Sequence, residues 1–179
     1  MNLIPQLGAM GGMIAALLYL HAPAPGTAPK YTDAQILALL DEADVADSTA
    51  GALAAQYANA SDVRDFAKMM MSDHHTLRLE GQKVAQILNI TPAAPQNDPV
   101  KDAAMREMGA IMAAGNGRVF DKTYMDQEVA VHEQVIDLVN KAHPQHPEVQ
   151  HLVTTAMSYL RNHLTKAREV DSKLGAPRT

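Results

Sequence analysis

The apolar residues of the chain from residue 31 onward recur at spacings of three and four, which is the pattern of helices that bury one face. They predict four long helices, over about residues 32–58, 61–89, 118–142 and 147–174. Within each helix the apolar positions step by four and then three, which is typical of a left-handed helix bundle. The pattern therefore predicts an all-α fold.

Residues that favour helix starts stand at the predicted boundaries. Thr32, with Gln35 three residues later, has the signature of a capping box, and Ser61 is a candidate N-cap for the second helix. Asp98 followed by Pro99 predicts the start of one short helical piece inside the connection between helices 2 and 3. These signals support the boundaries that the apolar pattern predicts.

The lengths of the connections predict the topology. Two are short, near residues 59–61 and 143–147, and so join antiparallel neighbours, whereas residues 90–117 can carry the chain along the whole bundle. A long crossover between helices 2 and 3 is typical of a ferritin-like four-helix bundle.

The first residues of the chain differ from the rest. No Asp, Glu, Lys or Arg occurs in residues 1–29, and Leu7–Leu20 is a 14-residue apolar run followed by an Ala/Pro-rich stretch. That run is short for a membrane span, which needs about 20 residues, but fits a signal peptide. We expect residues 1–28 to be a signal peptide, or else an uncleaved anchor, and residues 29–179 to be the bundle domain. Cleavage would leave a periplasmic or envelope-associated protein with no stable membrane span.

Composition narrows the choice of partner and chemistry. A chain of 179 residues has the length of one domain, and with 47% hydrophobic residues it can bury a core. The net charge of -5 disfavours nucleic acid as a partner. Because the chain has no Cys, it has no disulfide, thiolate metal site or cysteine nucleophile. It contains none of the phosphate-loop, hydrolase or kinase motifs.

Each long helix carries an ionisable residue at a position where its stripe predicts an apolar one. The four are Asp47, His74, His132 and His163, and each lies within about three residues of its helix midpoint, so they can form one layer. Burying unpaired ionisable groups costs several kcal/mol each, so a convergent set needs a shared partner. A metal ion supplies one, and three imidazoles with a carboxylate suit zinc, iron, manganese or copper.

Further carboxylates lie beside these four residues. Glu128 is four residues before His132, Asp121 lies on the same helix, and Asp73 precedes His74. They are candidate ligands or partners that orient an imidazole. A di-iron centre of the usual kind is disfavoured, because it needs a Glu-x-x-His pair on two helices, and neither His74 nor His163 has a Glu three residues before it.

Two other interpretations stay open at this point. Met70 and Met71 lie four residues before His74 and His75, and thioether with imidazole is a copper-type ligand set. Alternatively, the bundle binds no metal and serves as an envelope stress or interaction module. The sequence does not decide between catalytic, storage and structural roles for a metal, and it identifies neither substrate nor protein partner.

Four motifs between about residues 32 and 172 resemble the bacterial family known as domain of unknown function 4142, often described as outer membrane proteins and regarded as ferritin-like. The motifs are Asp47-x-x-x-Gly-x-Leu-Ala54, Phe66-Ala67-x-x-Met70-x-x-Asp73-His74, Phe120-Asp121-x-x-Tyr124 with Val129-x-x-His132-Glu133, and Leu160-Arg161-x-His163-Leu164-x-x-Ala167. The resemblance implies an exported helical bundle whose acidic and His positions face inward, with no established activity. The chain departs from the family at Asp47, where Glu is usual, and in its second histidine, His75.

Overall fold

A computed structural model describes residues 31–175 of the chain, and this part is helical apart from its connections. Its helices are α1 (Asp33–Tyr57), α2 (Ser61–Leu88), α3 (Pro99–Ala113), α4 (Gly117–Asn140) and α5 (Pro147–Gly175). Over residues 31–175 there is no β-strand, so the predicted all-α class is confirmed. None of the helices in this range is both long and apolar enough to cross a membrane. The predicted signal segment lies outside the described residues.

The helices form two antiparallel hairpins, α1 with α2 and α4 with α5. α2 packs against α5 and α1 against α4, while α3 contacts α1 and α4. α3 therefore carries the chain from the end of α2 to the start of α4. The predicted short helical piece is a full helix of 15 residues that takes part in the packing.

Two of the predicted helix starts are confirmed. The Thr32 hydroxyl accepts a hydrogen bond from the Gln35 amide at 3.3 Å, and the Gln35 side chain accepts one from the Thr32 amide at 3.0 Å. Asp98 Oδ1 accepts from the amides of Val100 and Lys101, both at 3.0 Å. Both caps satisfy amides that the first turn of a helix leaves without an intrahelical partner.

The predicted N-cap of α2 is wrong. Ser61 is the first residue inside the helix, and the cap position is Ala60, which has no side-chain hydrogen bond to offer. Asp121 of α4 serves this turn instead. Its Oδ1 and Oδ2 accept from the amides of Asn59 and Ala60 at 2.7 and 2.9 Å. A residue from the other hairpin thus holds the turn that precedes α2.

The opposite end of the bundle has the matching arrangement. Asp33 of α1 accepts hydrogen bonds from the amides of Gln145 and His146, at 2.8 and 2.9 Å, in the turn between α4 and α5. Each hairpin therefore holds the turn of the other through one buried aspartate.

The apolar core is divided along the bundle axis. One region lies toward the α1–α2 turn and is formed around Ala54, Phe66, Met70, Tyr124 and Ala167. The other lies toward the α4–α5 turn and includes Leu37, Val135, Val149, Leu152 and Leu160. The predicted layer of ionisable residues separates the two regions.

α1 and α2 approach each other closely at Gly51. A Cβ atom on Gly51 would lie 2.9 Å from the carbonyl oxygen of Ala67 and 3.2 Å from Cγ of Met71. Backbone atoms cannot move aside without shifting a helix, so the absence of a side chain at Gly51 sets the spacing of this pair.

We expect Gly51→Ala to lower the free energy of unfolding by about 1–3 kcal/mol, because it overpacks this contact. Gly109→Ala on α3 is the matched control, since a Cβ there meets nothing within 4 Å. It should raise the free energy of unfolding by about 0.5–1 kcal/mol through helix propensity alone. Urea denaturation of both variants measures the difference, and equal stability would contradict the close approach.

Candidate metal centre

The structure brings the four predicted residues together in one buried layer. Asp47, His74, His132 and His163 are each no more than 1% exposed. The ring centroids lie 5.0 Å apart for His74 and His163, 5.4 Å for His132 and His163, and 5.9 Å for His74 and His132. Four helices thus contribute one ionisable side chain each to the same level of the bundle.

Each imidazole has one ring nitrogen held by an acceptor from a residue other than these four. The contacts are His74 Nδ1 with Asp44 Oδ1 at 2.8 Å, His132 Nδ1 with the carbonyl oxygen of Glu128 at 2.8 Å, and His163 Nε2 with Asp73 Oδ2 at 3.0 Å. A backbone carbonyl can only accept, so Nδ1 of His132 is the donor and Nε2 of the neutral ring keeps its lone pair. Such outer acceptors fix the tautomer and orientation of metal-binding histidines.

The second ring nitrogen of each imidazole and two neighbouring carboxylates are buried and unsatisfied. His74 Nε2, His132 Nε2, His163 Nδ1 and the carboxylate oxygens of Asp47 and Glu128 have no hydrogen-bond partner among residues 31–175. One ligand atom from each of the three histidines lies within 4.8 Å of the other two, and the same holds for Asp47, Glu128 and His132. These buried groups could hold a metal ion.

The contact between Asp47 and His74 has a spacing suited to shared coordination. Asp47 Oδ2 lies 3.2 Å from His74 Nε2. With bonds of about 2.1 Å to one ion, neighbouring ligand atoms are about 3.4 Å apart in a tetrahedron and about 3 Å apart in an octahedron. The observed distance falls between these two values.

The three histidines differ in their electrostatics. Burial lowers the pKa of His163 to about 4 and also lowers the pKa of His132, so both rings are neutral at pH 7. Burial lowers the pKa of His74 too, but the carboxylates of Asp47 and Asp44 outweigh it and raise the pKa overall. Neutral rings with a free lone pair are the form that binds a metal.

Burial shifts the surrounding carboxyl groups toward their neutral form. Burial raises the pKa of Asp44 to about 6. Burial and the charge of Asp47 raise the pKa of Glu107 to about 8. Burial, with the charges of Asp47 and Glu107, raises the pKa of Glu128 well above its usual range. A cation in the layer would stabilise the ionised carboxylates and so offset the desolvation cost that raises these pKa values.

The three assisting residues predicted from the sequence have different positions. Glu128 lies in the layer, fully buried, with its Oε2 3.4 Å from His132 Nδ1. Asp73 lies outside the layer and holds His163, with its side chain 28% exposed. Asp121 is not in the layer, and both of its carboxylate oxygens accept hydrogen bonds from amides of the α1–α2 turn.

Two buried residues near the layer were not among the predicted ones. Asp44 lies three residues before Asp47 on α1 and therefore on the same face. Glu107 belongs to the buried face of α3, formed with Val100, Ala103 and Ile111. That stripe also steps by three and four and has one acidic residue in it, the signal that identified the other four positions.

The methionine and histidine pairs on α2 separate onto two faces. Met70 is buried in the apolar region toward the α1–α2 turn, whereas Met71 is 37% exposed and His75 lies on the surface. Met70 and Met71 therefore do not form one buried cluster with the imidazoles.

The comparisons with known proteins agree with the motifs. The profile of a family described as domain of unknown function (DUF4142) matches residues 20–170. The chain belongs to this family. No curated protein and no solved structure matches the chain.

Asp121→Ala should lower the free energy of unfolding by about 2 kcal/mol, because two amides lose a charged acceptor. Asp137→Ala is the matched control on the same helix, since its ion pair with Lys141 is exposed and contributes at most about 1 kcal/mol. Urea denaturation measures both. If the two variants were equally stable, Asp121 would not hold the turn.

The metal-free protein should lose stability as the pH rises from 6.5 to 8.5. Glu107 has a pKa of about 8 in the folded chain and 4.5 in the unfolded chain. The contribution of protonated Glu107 to the free energy of unfolding is therefore complete below its pKa in the unfolded chain. It is lost as the pH rises through its pKa in the folded chain. We expect the Tm of chelator-treated protein to fall by several degrees across this range, and less in Glu107→Gln. A Tm that rises with pH would contradict the shifted carboxyl groups.

Proposed function

We propose that the protein binds one divalent transition-metal ion at the centre of the bundle, through His74, His132, His163 and Asp47, with Glu128 as a further ligand. The observation that carries the proposal is the orientation of the three imidazoles. Each has its outer nitrogen held by an acceptor, and each has its inner nitrogen buried without a partner within residues 31–175. This is the arrangement that histidine ligands need before an ion binds.

A metal-free bundle fits these atoms less well. A buried polar atom without a hydrogen bond costs about 1–3 kcal/mol. Ligand atoms of the three histidines lie within 4.8 Å of one another, and so do ligand atoms of Asp47, Glu128 and His132. One cation between them compensates all of these groups at once. A bundle without metal has to keep protons on its buried carboxyl groups instead.

The ligand set favours zinc, iron or manganese over a copper-handling role. Imidazole with carboxylate suits borderline and harder divalent ions, whereas copper(I) prefers thioethers and thiolates. Met70 packs among apolar residues, and Met71 lies on the surface. When bound, such an ion supplies Lewis-acid or redox chemistry, or a structural link between four helices.

The wider setting of this function is part of the same proposal. Two antiparallel hairpins joined by a crossover that contains α3 support a ferritin-like arrangement. The apolar segment Leu7–Leu20 supports export to the periplasm or envelope. The protein would then bind its ion in a compartment outside the cytoplasm.

Elemental analysis by mass spectrometry on untagged protein tests the proposal. We expect about one ion per chain in the wild type and a loss of that ion in His163→Ala, because the variant removes a ligand. His151→Ala is the matched control, since it removes an exposed histidine from the same helix and should keep the metal. Met70→Leu should also keep it, whereas copper handling through Met70 predicts weaker binding.

Folding has to be separated from ligation in this test. Far-UV circular dichroism should show the same helix content in both histidine variants, and His163→Gln fills more of the space that alanine leaves. The proposal is overturned if the wild type binds none of zinc, manganese, iron(II) or copper(II) after reconstitution. It is also overturned if His163→Ala and His163→Gln both keep the full metal content.

A further inference from the structure

Three methionines form a stripe along the surface of α3. Met105, Met108 and Met112 are spaced by three and then four residues. At about 100° per residue they lie within about 60° of one another around the helix axis. Met105 is 67% and Met112 is 72% exposed, the two largest values among the large apolar side chains of residues 31–175. The two outer members of this methionine stripe therefore contribute little to the core.

The middle member of the stripe is held in place by the bundle. Met108 is partly buried and packs against the apolar region that contains Ala54 and Tyr124. Together with Met105 it also lines a surface groove of about 440 Å³ between α1 and α3. Packing restricts the rotamers of Met108, whereas the exposed side chains of Met105 and Met112 can turn toward it.

The spacing along the helix allows one ion to contact all three sulfur atoms. At 1.5 Å per residue, Met105 lies about 4.5 Å and Met112 about 6 Å from Met108 along the helix axis. Metal–sulfur bonds of about 2.3 Å place neighbouring sulfur atoms about 4 Å apart around a three-coordinate ion. Methionine is unbranched and has three rotatable bonds, so sulfur atoms on adjacent turns can reach this separation.

The residue type of the stripe favours a soft metal ion over an apolar partner. On α1, α2 and α4 the exposed large apolar side chains are of several kinds, namely Val45, Tyr57, Met71, Leu79, Ile87 and Val119. On α3 both are methionines. Leucine or isoleucine would serve an apolar contact equally well, but only a thioether offers a lone pair to a metal. Thioethers select soft ions such as copper(I).

We propose that Met105, Met108 and Met112 form a surface site for one copper(I) ion, separate from the buried centre. Thioethers are uncharged, so the site selects its ion by softness, and zinc or manganese should not compete for it. The buried centre, with imidazole and carboxylate ligands, suits a different class of ion. None of the three methionines belongs to that centre, so this inference does not rest on the function proposed above.

Competition with a colorimetric copper(I) chelator, under reducing and oxygen-free conditions, tests the site in the full-length protein. The triple variant Met105→Leu/Met108→Leu/Met112→Leu should lose one equivalent of tightly bound copper(I). Each single variant should bind it about tenfold or more weakly, at least the effect of losing an outer partner of a metal ligand. Leucine keeps the size and apolar character of methionine, so the variants should fold.

Met71→Leu is the matched control. It removes a thioether that is 37% exposed on α2 and lies outside the stripe, so it should bind copper(I) like the wild type. Loss of the ion in this variant would move the site to α2 and overturn the proposal.

Silver(I), a soft monovalent ion that is not redox active, identifies the ligands directly. In protein with carbon-13 in the methionine methyl groups, Ag⁺ should shift the resonances of the three stripe methionines, which single Leu variants assign. The resonance of Met125, which is fully buried, should stay in place. Shifts confined to methionines outside the stripe would overturn the proposal.

The variant His163→Ala separates this site from the buried centre. It should keep the copper(I) that the stripe binds. If copper(I) is lost in His163→Ala and kept in the triple methionine variant, the ion lies in the buried centre and the surface site is overturned. Equal copper(I) binding by the wild type and the triple variant also overturns it, whatever the metal content of the buried centre.

Discussion

The burial of ionisable groups at the middle of the bundle is the constraint on which the rest of the structure depends. Three imidazoles with Asp47, Glu107 and Glu128 lie between two apolar regions, where none of them reaches water. Burial drives the two glutamates and two of the histidines toward their neutral forms. Any state of the protein must therefore provide either protons or a cation here. The same buried groups therefore bear on the stability of the fold and could hold a metal ion.

The two ends of the bundle determine whether these side chains can meet. Asp33 and Asp121 each hold the turn of the opposite hairpin, which fixes the sliding of one hairpin along the other. Asp121 lies about 16 Å along α4 from His132, and Asp33 about 21 Å along α1 from Asp47, at 1.5 Å per residue. Because hydrogen bonds hold both ends of the bundle, the two hairpins can slide little along each other. Residues from four helices can therefore share one level.

Helix periodicity explains how much of this arrangement the sequence could predict. The steps of three and four identified the long helices and the polar positions at Asp47, His74, His132 and His163, because these signals are local. The position of Asp121 could not be predicted in the same way, since its hydrogen-bond donors are amides of the other hairpin. Glu107 lies on α3, within the segment that the pattern predicts to be a connection, so the stripes of the four long helices do not include it. The partners of a side chain depend on packing between helices, which a single stripe does not encode.

The close contact at Gly51 explains how a short side chain can serve at position 47. Gly51 lies one turn after Asp47 on α1, and Ala67 lies two turns before His74 on α2, so the four residues share one helix interface. The absence of a Cβ at Gly51 lets α1 approach the backbone of α2. A closer helix compensates for the methylene that Asp lacks relative to Glu, and Asp47 Oδ2 lies 3.2 Å from His74 Nε2. In a wider interface Asp47 would fall short of the imidazole and leave a buried charge without a partner, which costs several kcal/mol. The glycine and the aspartate therefore depend on each other.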